Sequence, residues 1–188
     1  MKNQKAMMSS ATAEWGTPQD LYDKLDAVYR FELDAAAIPE NAKCRRFLSF
    51  DSRYFYMPEF DALDEYTNWA KLSGGGPIWL NPPYGRLASK FVKRAEAESC
   101  NGVTIVCLVA SRTDARWFQF CFERAQVICF MPGRLKFLAF NGAELGPATF
   151  PSALVVFAPT LQAAKPRALS AFGPIRMNMV DAIKKDVA

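Results

Sequence analysis

The tetrapeptide Asn81-Pro82-Pro83-Tyr84 is the stretch of this sequence whose residue types are best suited to chemistry. It follows the short apolar run 78–80, which is typical of a buried strand, and its two prolines end that strand abruptly. Each proline fixes its own φ and has no N–H to donate, so we expect a rigid platform at the carboxyl end of a strand. Open α/β sheets bind their ligands at this end of the strands. The platform offers an amide, backbone carbonyls and an aromatic ring, a set of groups that does not suit hydrolysis.

The groups of this platform suit chemistry on a planar amine. The side-chain oxygen of Asn81 and the carbonyl of Pro82 can both accept hydrogen bonds. Two acceptors that converge on an –NH₂ group would draw the nitrogen lone pair out of conjugation and direct it at an electrophile. The ring of Tyr84 could stack on the flat ring that carries the amine, a contact worth about 1–3 kcal/mol for a nucleobase. The residues therefore predict methyl transfer from a sulfonium donor to an exocyclic amine.

Composition excludes several other classes of function. A chain of 188 residues with 51% hydrophobic residues predicts one folded domain with a substantial core. Because the sequence contains no histidine, it cannot form a Ser-His-Asp triad or a His-ligated metal site, and we predict no metal. Its five cysteines form no C-x-x-C pair, which favours a reducing compartment. No apolar run is long enough for a signal peptide or a membrane span, so we expect a cytosolic, soluble protein without a membrane partner.

The amino-terminal part contains two candidate binding features. Residues 1–13 are expected to form a mobile tail, which precedes the domain at 14–160. Thr17 is predicted to cap a helix that has Pro18 at its first position, and the free N–H groups there could receive the carboxylate of a bound amino acid. Asp34 ends the next predicted strand and precedes three alanines, so it could accept hydrogen bonds from the amine or hydroxyls of a cofactor. Strand-end aspartates are also common turn formers, and both interpretations remain open.

The rest of the domain alternates strands and helices. A helix is predicted at 87–98, strands at 103–109 and 127–130, and a further helix capped by Thr113 lies between those strands. This alternation predicts a doubly wound, mostly parallel sheet. Residues 133–140 then alternate in polarity, Asn141-Gly142 is a strong turn pair, and 153–157 is apolar. These features predict an antiparallel hairpin at the edge of the sheet, followed by a partly helical extension at 161–188.

The order of short motifs along the chain resembles that of the small phage-type DNA N6-adenine methyltransferases, the Dam-like family. The motifs are Trp15-x-Thr17-Pro18, Leu33-Asp34, Asn81-Pro82-Pro83-Tyr84, Gly133-Arg134-Leu135-Lys136-Phe137 and Pro151-Ser152. The resemblance implies a Rossmann-like methyltransferase fold with S-adenosylmethionine (SAM) as methyl donor. It also implies duplex DNA as partner, with the target adenine flipped out of the helix.

The same resemblance implies roles for individual residues. Asn81, Pro82, Pro83 and Tyr84 would hold the target base. The implied SAM-binding residues are Trp15, Thr17, Pro18, Asp34 and, for the adenosine end, Asp61. One departure is that the glycine-rich turn of many SAM-binding strands is replaced here by Ala35-Ala36-Ala37.

Contacts to DNA are assigned to exposed cations and to loops. Arg112, Arg134 and Lys136 are the candidates for phosphate contacts, with a plain surface cation as the alternative for each. Residues 38–57 and 138–150 are the candidates for choosing the DNA sequence. Two other functions remain open from the residues alone: methylation of RNA or of a protein glutamine, and nucleic-acid binding without catalysis.

Overall fold

The computed structural model describes residues 15–50, 61–139 and 142–159, together with the backbone of 167–170. The predicted mobile tail and most of the predicted partly helical extension at 161–188 lie outside these residues. Within the predicted carboxyl-terminal extension, the described residues form a strand. That extension and the domain limits stay predictions.

The described residues form four helices and nine strands. None of these helices is long and apolar enough to cross a membrane. The helices are α1 (Gln19–Tyr29), α2 (Trp69–Leu72), α3 (Ala88–Ser99) and α4 (Arg116–Arg124). The strands are β1 (Leu33–Asp34), β2 (Arg46–Phe47), β3 (Ile78–Leu80), β4 (Ile105–Ala110), β5 (Val127–Phe130), β6 (Lys136–Leu138), β7 (Glu144–Pro147), β8 (Ser152–Phe157) and β9 (Arg167–Ser170).

Seven of the strands form one sheet in the order β2-β1-β3-β4-β8-β5-β9. The first four are parallel, β8 runs antiparallel between β4 and β5, and β9 is parallel to β5. The predicted fold class, a Rossmann-like methyltransferase α/β fold, is therefore confirmed. The chain passes from β1 outward to β2 and then returns to β3 on the other side of β1. The carboxyl ends of β1 and β3 thus flank the point where strand order reverses, which is where such sheets bind ligands.

Two apolar cores cover the two faces of this sheet. Successive residues of β4 alternate between them: Ile105, Cys107 and Val109 contact one core, and the residues between them contact the other. One core contains residues of α3 and α4, and the other contains residues of α1 and the β6–β7 region. All six residues of β4 are buried, which explains why its sequence is continuously apolar instead of alternating. Each fully buried Ile, Leu or Val contributes about 1.5–3 kcal/mol to the sheet's stability.

The start of α1 differs from the prediction by one residue. Pro18 is the N-cap, with a ψ of 133°, and its carbonyl accepts the first helical hydrogen bond from the Tyr22 N–H at 3.1 Å. The side chain of Thr17 makes no capping hydrogen bond, so the predicted cap at Thr17 is wrong. The prediction for Thr113 is also wrong, because α4 begins at Arg116 with Ala115 as N-cap.

The predicted hairpin exists, but its second strand is not the predicted one. Strand β6 pairs with β7 in a separate two-stranded sheet, whereas the apolar run 152–157 forms β8 inside the main sheet. Burial explains the difference, because every residue of β8 is buried while three of the four residues of β7 are exposed. A continuously apolar strand is stable only where neighbours cover both its faces and its edges. Gly142 takes φ 77° in the turn between β6 and β7, a conformation that favours glycine.

All five cysteines are free thiols. Cys107, Cys121 and Cys129 are buried, as expected for cysteines in apolar runs. Burial raises the pKa of each of these three thiols, so they stay protonated and unreactive at neutral pH.

Candidate active site

A cleft lies at the carboxyl ends of β1 and β3, at the reversal point of the sheet. It is closed on one side by the chain segment that precedes α1 and on another by the segment that follows β1. Six of the residues that line it were singled out from the sequence: Trp15, Thr17, Asp34, Asn81, Pro82 and Pro83. The other lining residues were not singled out individually: Gly16, Ala36, Asn41, Lys43, Phe50 and Trp79.

The side chain of Asn81 is held by one end and unpaired at the other. Its Nδ2 donates a hydrogen bond to the backbone carbonyl of Trp15 at 2.5 Å. Its Oδ1 is buried and has no hydrogen-bond partner among the described residues. Leaving a buried acceptor unpaired costs about 1–3 kcal/mol, so this oxygen is a ready acceptor for a donor from outside the chain. One of the two amide hydrogens is used by the Trp15 carbonyl, which fixes the direction of the unpaired Oδ1.

The carbonyl of Trp15 is itself positioned by the β6–β7 hairpin. Gly16 and Leu138 exchange two backbone hydrogen bonds, each 2.8 Å long. The two backbones approach so closely that a Cβ on Gly16 would lie 2.9 Å from the Leu138 carbonyl oxygen, so glycine is needed there. The β6–β7 hairpin therefore fixes the segment that contains Trp15, whose carbonyl anchors Asn81. In the sequence, the only signal of this link is a glycine between Trp15 and Thr17.

Tyr84 belongs to a cluster of four aromatic rings beside the platform. Its ring centroid lies 4.8 Å from that of Phe150, 5.8 Å from Phe137 and 6.4 Å from Trp15. The hydroxyl is buried without a hydrogen-bond partner among the described residues, and burial raises its pKa, so it stays protonated. Tyr84 is half-buried and does not line the cleft itself. Its predicted stacking on a base would therefore use a ring that already packs against other aromatic side chains.

Asp34, at the end of β1, lines the same cleft and is 3% exposed. Its carboxylate accepts hydrogen bonds from the N–H groups of Ala36 at 3.3 Å and Lys43 at 3.0 Å. Burial raises the pKa of Asp34 to about 6, although those two hydrogen bonds oppose the shift. The carboxylate of Asp34 thus shapes the loop after β1, as a turn former does. Its oxygens can still accept further hydrogen bonds from a ligand in the cleft.

Lys43 is the cation of this cleft, and the sequence did not single it out. Its Nζ donates to the side-chain oxygen of Gln19 at 2.6 Å and lies 6.0 Å from the centre of the Tyr22 ring. Burial lowers the pKa of Lys43, while the nearby Asp34 and Asp23 oppose that change. Among the described residues that line the cleft, one is acidic, Asp34, and one is basic, Lys43.

Comparison with known proteins identifies the family. The family model for DNA N-6-adenine-methyltransferase (Dam) matches residues 4–178. The chain belongs to this family. The Dam-like resemblance that the motifs predicted is thus confirmed over most of the chain.

Two relatives in the Dam family carry the description DNA N-6-adenine-methyltransferase. The protein of Escherichia phage T1 is 30% identical over 122 residues, which cover 64% of this chain and 45% of that protein. The protein of Haemophilus phage HP1 is 28% identical over 150 residues, which cover 77% of this chain and 78% of that protein. The matched part thus spans less than half of the phage T1 protein and most of the phage HP1 protein.

Two residues that the Dam-like resemblance assigned to the cofactor do not line the cleft. Pro18 caps α1. The carboxylate of Asp61 accepts a hydrogen bond from the Leu63 N–H at 2.8 Å, and its backbone bridges to Ser49. Both residues thus have a local structural role in the described part of the chain, and their cofactor roles stay predictions.

The three predicted DNA-contacting residues of this Dam family member all lie on the surface. Arg112 and Arg134 are exposed, and both follow strands that end at the same edge as β3. Lys136 is exposed as well, with its Nζ 3.6 Å from a carboxylate oxygen of Glu144. Such an exposed ion pair contributes little to stability, so Lys136 is available to an anion.

Arg94, on α3, is a cation with a structural role. Arg94 forms an ion pair of 2.8 Å with Glu98 and donates to the carbonyls of Asp64 and Thr67. The side chain of Glu98 is only 4% exposed. Arg94 therefore ties α3 to the loop before α2 and is not a free cation for phosphate.

Proposed function

We propose that this protein transfers the methyl group of SAM to the N6 amine of an adenine in DNA. Membership of the Dam family and the position of the cleft at the reversal point of the sheet support this activity. The single observation that carries it is the side chain of Asn81: its amide nitrogen is tied to the Trp15 carbonyl, and its buried oxygen is left unpaired. That arrangement gives one fixed acceptor on a platform that faces the cleft.

The residues of the cleft fit SAM as a cofactor. Asp34 can accept hydrogen bonds from the amine or the hydroxyls of the cofactor, and the buried Thr17 and the cation Lys43 line the same space. Phe50 lines the cleft as well and offers a flat ring for an adenine. Of the three alanines after Asp34, Ala36 lines the cleft, and its small side chain lets a ligand approach the backbone there without the glycine-rich turn. When bound, SAM supplies a methyl group made electrophilic by the positive sulfur.

The platform itself holds and orients the acceptor amine. The Oδ1 of Asn81 and the carbonyl of Pro82 accept hydrogen bonds from the N6 amine of adenine, which directs its lone pair out of the ring plane and into the cleft. The prolines keep both acceptors in place because each has a fixed φ. The surplus proton on the product nitrogen leaves to water, so no basic side chain is required. Positioning of this kind can supply a large share of a rate enhancement.

The target adenine must leave the duplex to reach this platform. The N6 amine of a paired base cannot approach an acceptor that lies inside a cleft, so enzymes that modify bases flip them out. We assign the stacking of the flipped base to Tyr84, whose ring contacts those of Phe137 and Phe150. Arg112, Arg134 and Lys136 are assigned to phosphates of the same duplex. The protein would act in the cytoplasm, where its DNA substrate lies.

A side-by-side transfer assay tests this function. Labelled SAM is incubated with the protein and, separately, with duplex DNA, RNA or a protein extract. The expected result is label in DNA, recovered as N6-methyladenine after digestion to nucleosides. Label in RNA or protein alone would overturn the choice of substrate, and absence of label despite measurable SAM binding would leave a nucleic-acid-binding module without catalysis.

A further inference from the structure

A second crevice opens at the same edge of the sheet, where β8 begins between the ends of β4 and β5. Two backbone hydrogen bonds fix its walls: the Ser111 N–H donates to the Pro151 carbonyl at 2.8 Å, and the Met131 N–H donates to the Ser152 carbonyl at 2.9 Å. The antiparallel β8 thus ties together two strand ends that point the same way. The residues that line the crevice include Ser111, Thr113, Phe130, Met131, Arg134 and Ser152.

Two hydroxyls of this crevice are buried and unpaired. Ser152 is 1% exposed, and its Oγ has no hydrogen-bond partner among the described residues. The Oγ of Ser111 is likewise buried without a partner there. A buried hydroxyl without a partner costs about 1–3 kcal/mol, a cost that alanine at the same position would avoid. Neither hydroxyl therefore contributes to the stability of the described fold, and both can donate one hydrogen bond and accept two.

The other groups of the crevice suit a nucleotide. Arg134 is exposed and forms no ion pair with any described residue, so it can contact a phosphate. Phe130 and Met131 are half-buried and give the crevice an apolar wall against which a base can lie. The hydroxyls of Ser111 and Ser152 are left for the polar edge of that base. The cation thus suits the phosphate of a nucleotide, the apolar wall suits the face of its base, and the hydroxyls suit the polar edge of that base.

The crevice lies within reach of a nucleotide close to the target in the same strand. Strand β4 is the direct neighbour of β3, and β8 is the next strand along. Because neighbouring strands lie about 4.8 Å apart, the chain positions of Ser111 and Ser152 are about 5 and 10 Å along the sheet edge from the strand that leads to Asn81. Stacked nucleotides of one DNA strand are about 3.4 Å apart, so about one to three steps along that strand span this distance.

We propose that this crevice binds the base of a nucleotide one to three positions from the target adenine in the same strand. Ser111 and Ser152 read the polar edge of that base, and Arg134 contacts its phosphate. The inference rests on the proposed function, because it takes the methylated strand to run along the carboxyl edge of the sheet. It makes Ser111 and Ser152 determinants of sequence specificity without a part in methyl transfer itself.

The test compares sequence preference between variants. A pool of short duplexes, each with one adenine flanked by randomised positions, is methylated by the wild type, Ser111→Ala, Ser152→Ala and Arg134→Gln. Sequencing of the methylated adenines gives the preference at each flanking position. The matched control is Ser99→Ala, which removes another buried serine hydroxyl, one that donates to the Glu96 carbonyl at 2.7 Å at the far end of α3. Equilibrium binding of the same duplexes, measured without SAM, gives a second readout that needs no catalysis.

Changing the crevice serines should alter the base preference at one flanking position and leave the preference at the other positions unchanged. We expect each serine variant to lower the preference at that position about 5-fold or more, as loss of one or two hydrogen bonds predicts. Arg134→Gln should weaken binding of all duplexes alike and reduce its salt dependence. Ser99→Ala should keep the wild-type preference although it removes a satisfied hydrogen bond. Thermal melts should show Ser152→Ala as stable as the wild type or slightly more so, because its hydroxyl is unpaired.

Two results would overturn the inference: a wild type with no flanking preference, or serine variants that keep the wild-type preference in both readouts. A wild type that methylates no DNA would overturn the proposed function instead. In that case the binding readout alone decides on the crevice, since a preference lost in the serine variants would still support it.

Discussion

The cleft between β1 and β3 and the crevice around the start of β8 share one edge of the sheet but hold their polar groups in opposite ways. In the cleft, Asn81 is tied through its amide nitrogen to the Trp15 carbonyl, and Asp34 accepts two backbone N–H groups. In the crevice, the hydroxyls of Ser111 and Ser152 have no partner among the described residues and can rotate. A group that aims a lone pair needs a fixed direction, whereas a group that reads a base needs a donor and an acceptor that adapt. The difference agrees with the two roles that we propose, catalysis in the cleft and base recognition in the crevice.

The fixed character of the cleft comes from elements that are distant in the sequence. Prolines stiffen the platform, and the hairpin β6–β7 holds Gly16 through two hydrogen bonds. The carbonyl that anchors Asn81 is thus supported by residues more than 120 positions further along the chain. We expect the largest loss of methyl transfer when Asn81 itself is changed and a smaller loss when the contact that supports Trp15 is disturbed.

The largest effect is expected when the acceptor is removed. Asn81→Ala deletes the unpaired oxygen and the anchor to Trp15 together, so kcat should fall about 100-fold or more, as for loss of one oriented group in other active sites. The Kd for SAM should change less than about 3-fold, because the asparagine is assigned to the amine of the substrate. Single-turnover kinetics and equilibrium SAM titration measure the two quantities.

The variant Asn81→Asp separates the two ends of the side chain. It keeps an oxygen towards the cleft but places a carboxylate oxygen against the Trp15 carbonyl, where the native nitrogen donates at 2.5 Å. We expect an activity between those of the wild type and Asn81→Ala. Equal loss of SAM binding and of turnover in Asn81→Ala would argue that this residue serves the cofactor instead.

A smaller loss should follow when the support of Trp15 is disturbed. In Gly16→Ala the new Cβ would lie 2.9 Å from the Leu138 carbonyl oxygen, so the two backbones must separate. We expect methyl transfer to fall about 10-fold, since a small misplacement of a positioning group is costly. Gly146→Ala is the matched control, because it lies in the same hairpin and its Cβ would meet no atom within 4 Å. Equal activities of the two variants would show that the hairpin does not position Asn81.

The sequence predicted the Asn81 platform more completely than the distant residues that hold it and complete the cleft. The apolar run 78–80 and the two prolines are local signals, and they placed Asn81 correctly at a strand end. Gly16, Lys43 and Phe50 were missed as site residues because their importance depends on contacts with parts of the chain far away. The hairpin was predicted with the wrong second strand for the same reason: burial of β8 by neighbouring strands overrides the local turn signal that precedes it.

The acidic wall of the cleft should make SAM binding sensitive to pH. Because burial raises the pKa of Asp34 to about 6, the carboxylate is mostly ionised at pH 7 and mostly protonated at pH 5.5. If the ionised form accepts from the cofactor, SAM should bind about 4-fold more weakly at pH 5.5 than at pH 7. Asp34→Asn should bind weakly at both values, which isothermal titration at the two pH values can check. A wild-type affinity that does not change with pH would argue against this contact.

The same residue has a predictable effect on stability in the absence of ligand. Between the ordinary aspartate pKa of 3.8 and the raised value of about 6, the folded chain binds more protons than the unfolded chain. The contribution of Asp34 to the free energy of unfolding is therefore greatest below pH 3.8 and is lost as pH rises through 6. Denaturant titrations across this window should show a smaller fall for Asp34→Asn than for the wild type.

The smallest effect is expected at the hydroxyl of Tyr84, which shares with the crevice serines the lack of a described partner. Tyr84→Phe keeps the ring in its cluster with Trp15, Phe137 and Phe150 and removes only the buried, unpaired oxygen. If the ring acts by stacking, methyl transfer should stay within about 2-fold of the wild type, and the melting temperature should be equal or higher. Tyr84→Ala, which removes the stacking surface, should raise the KM for DNA and leave the Kd for SAM unchanged. A large loss in Tyr84→Phe would instead mean that the hydroxyl meets the substrate, and Tyr84 would then belong with the fixed polar groups of the cleft.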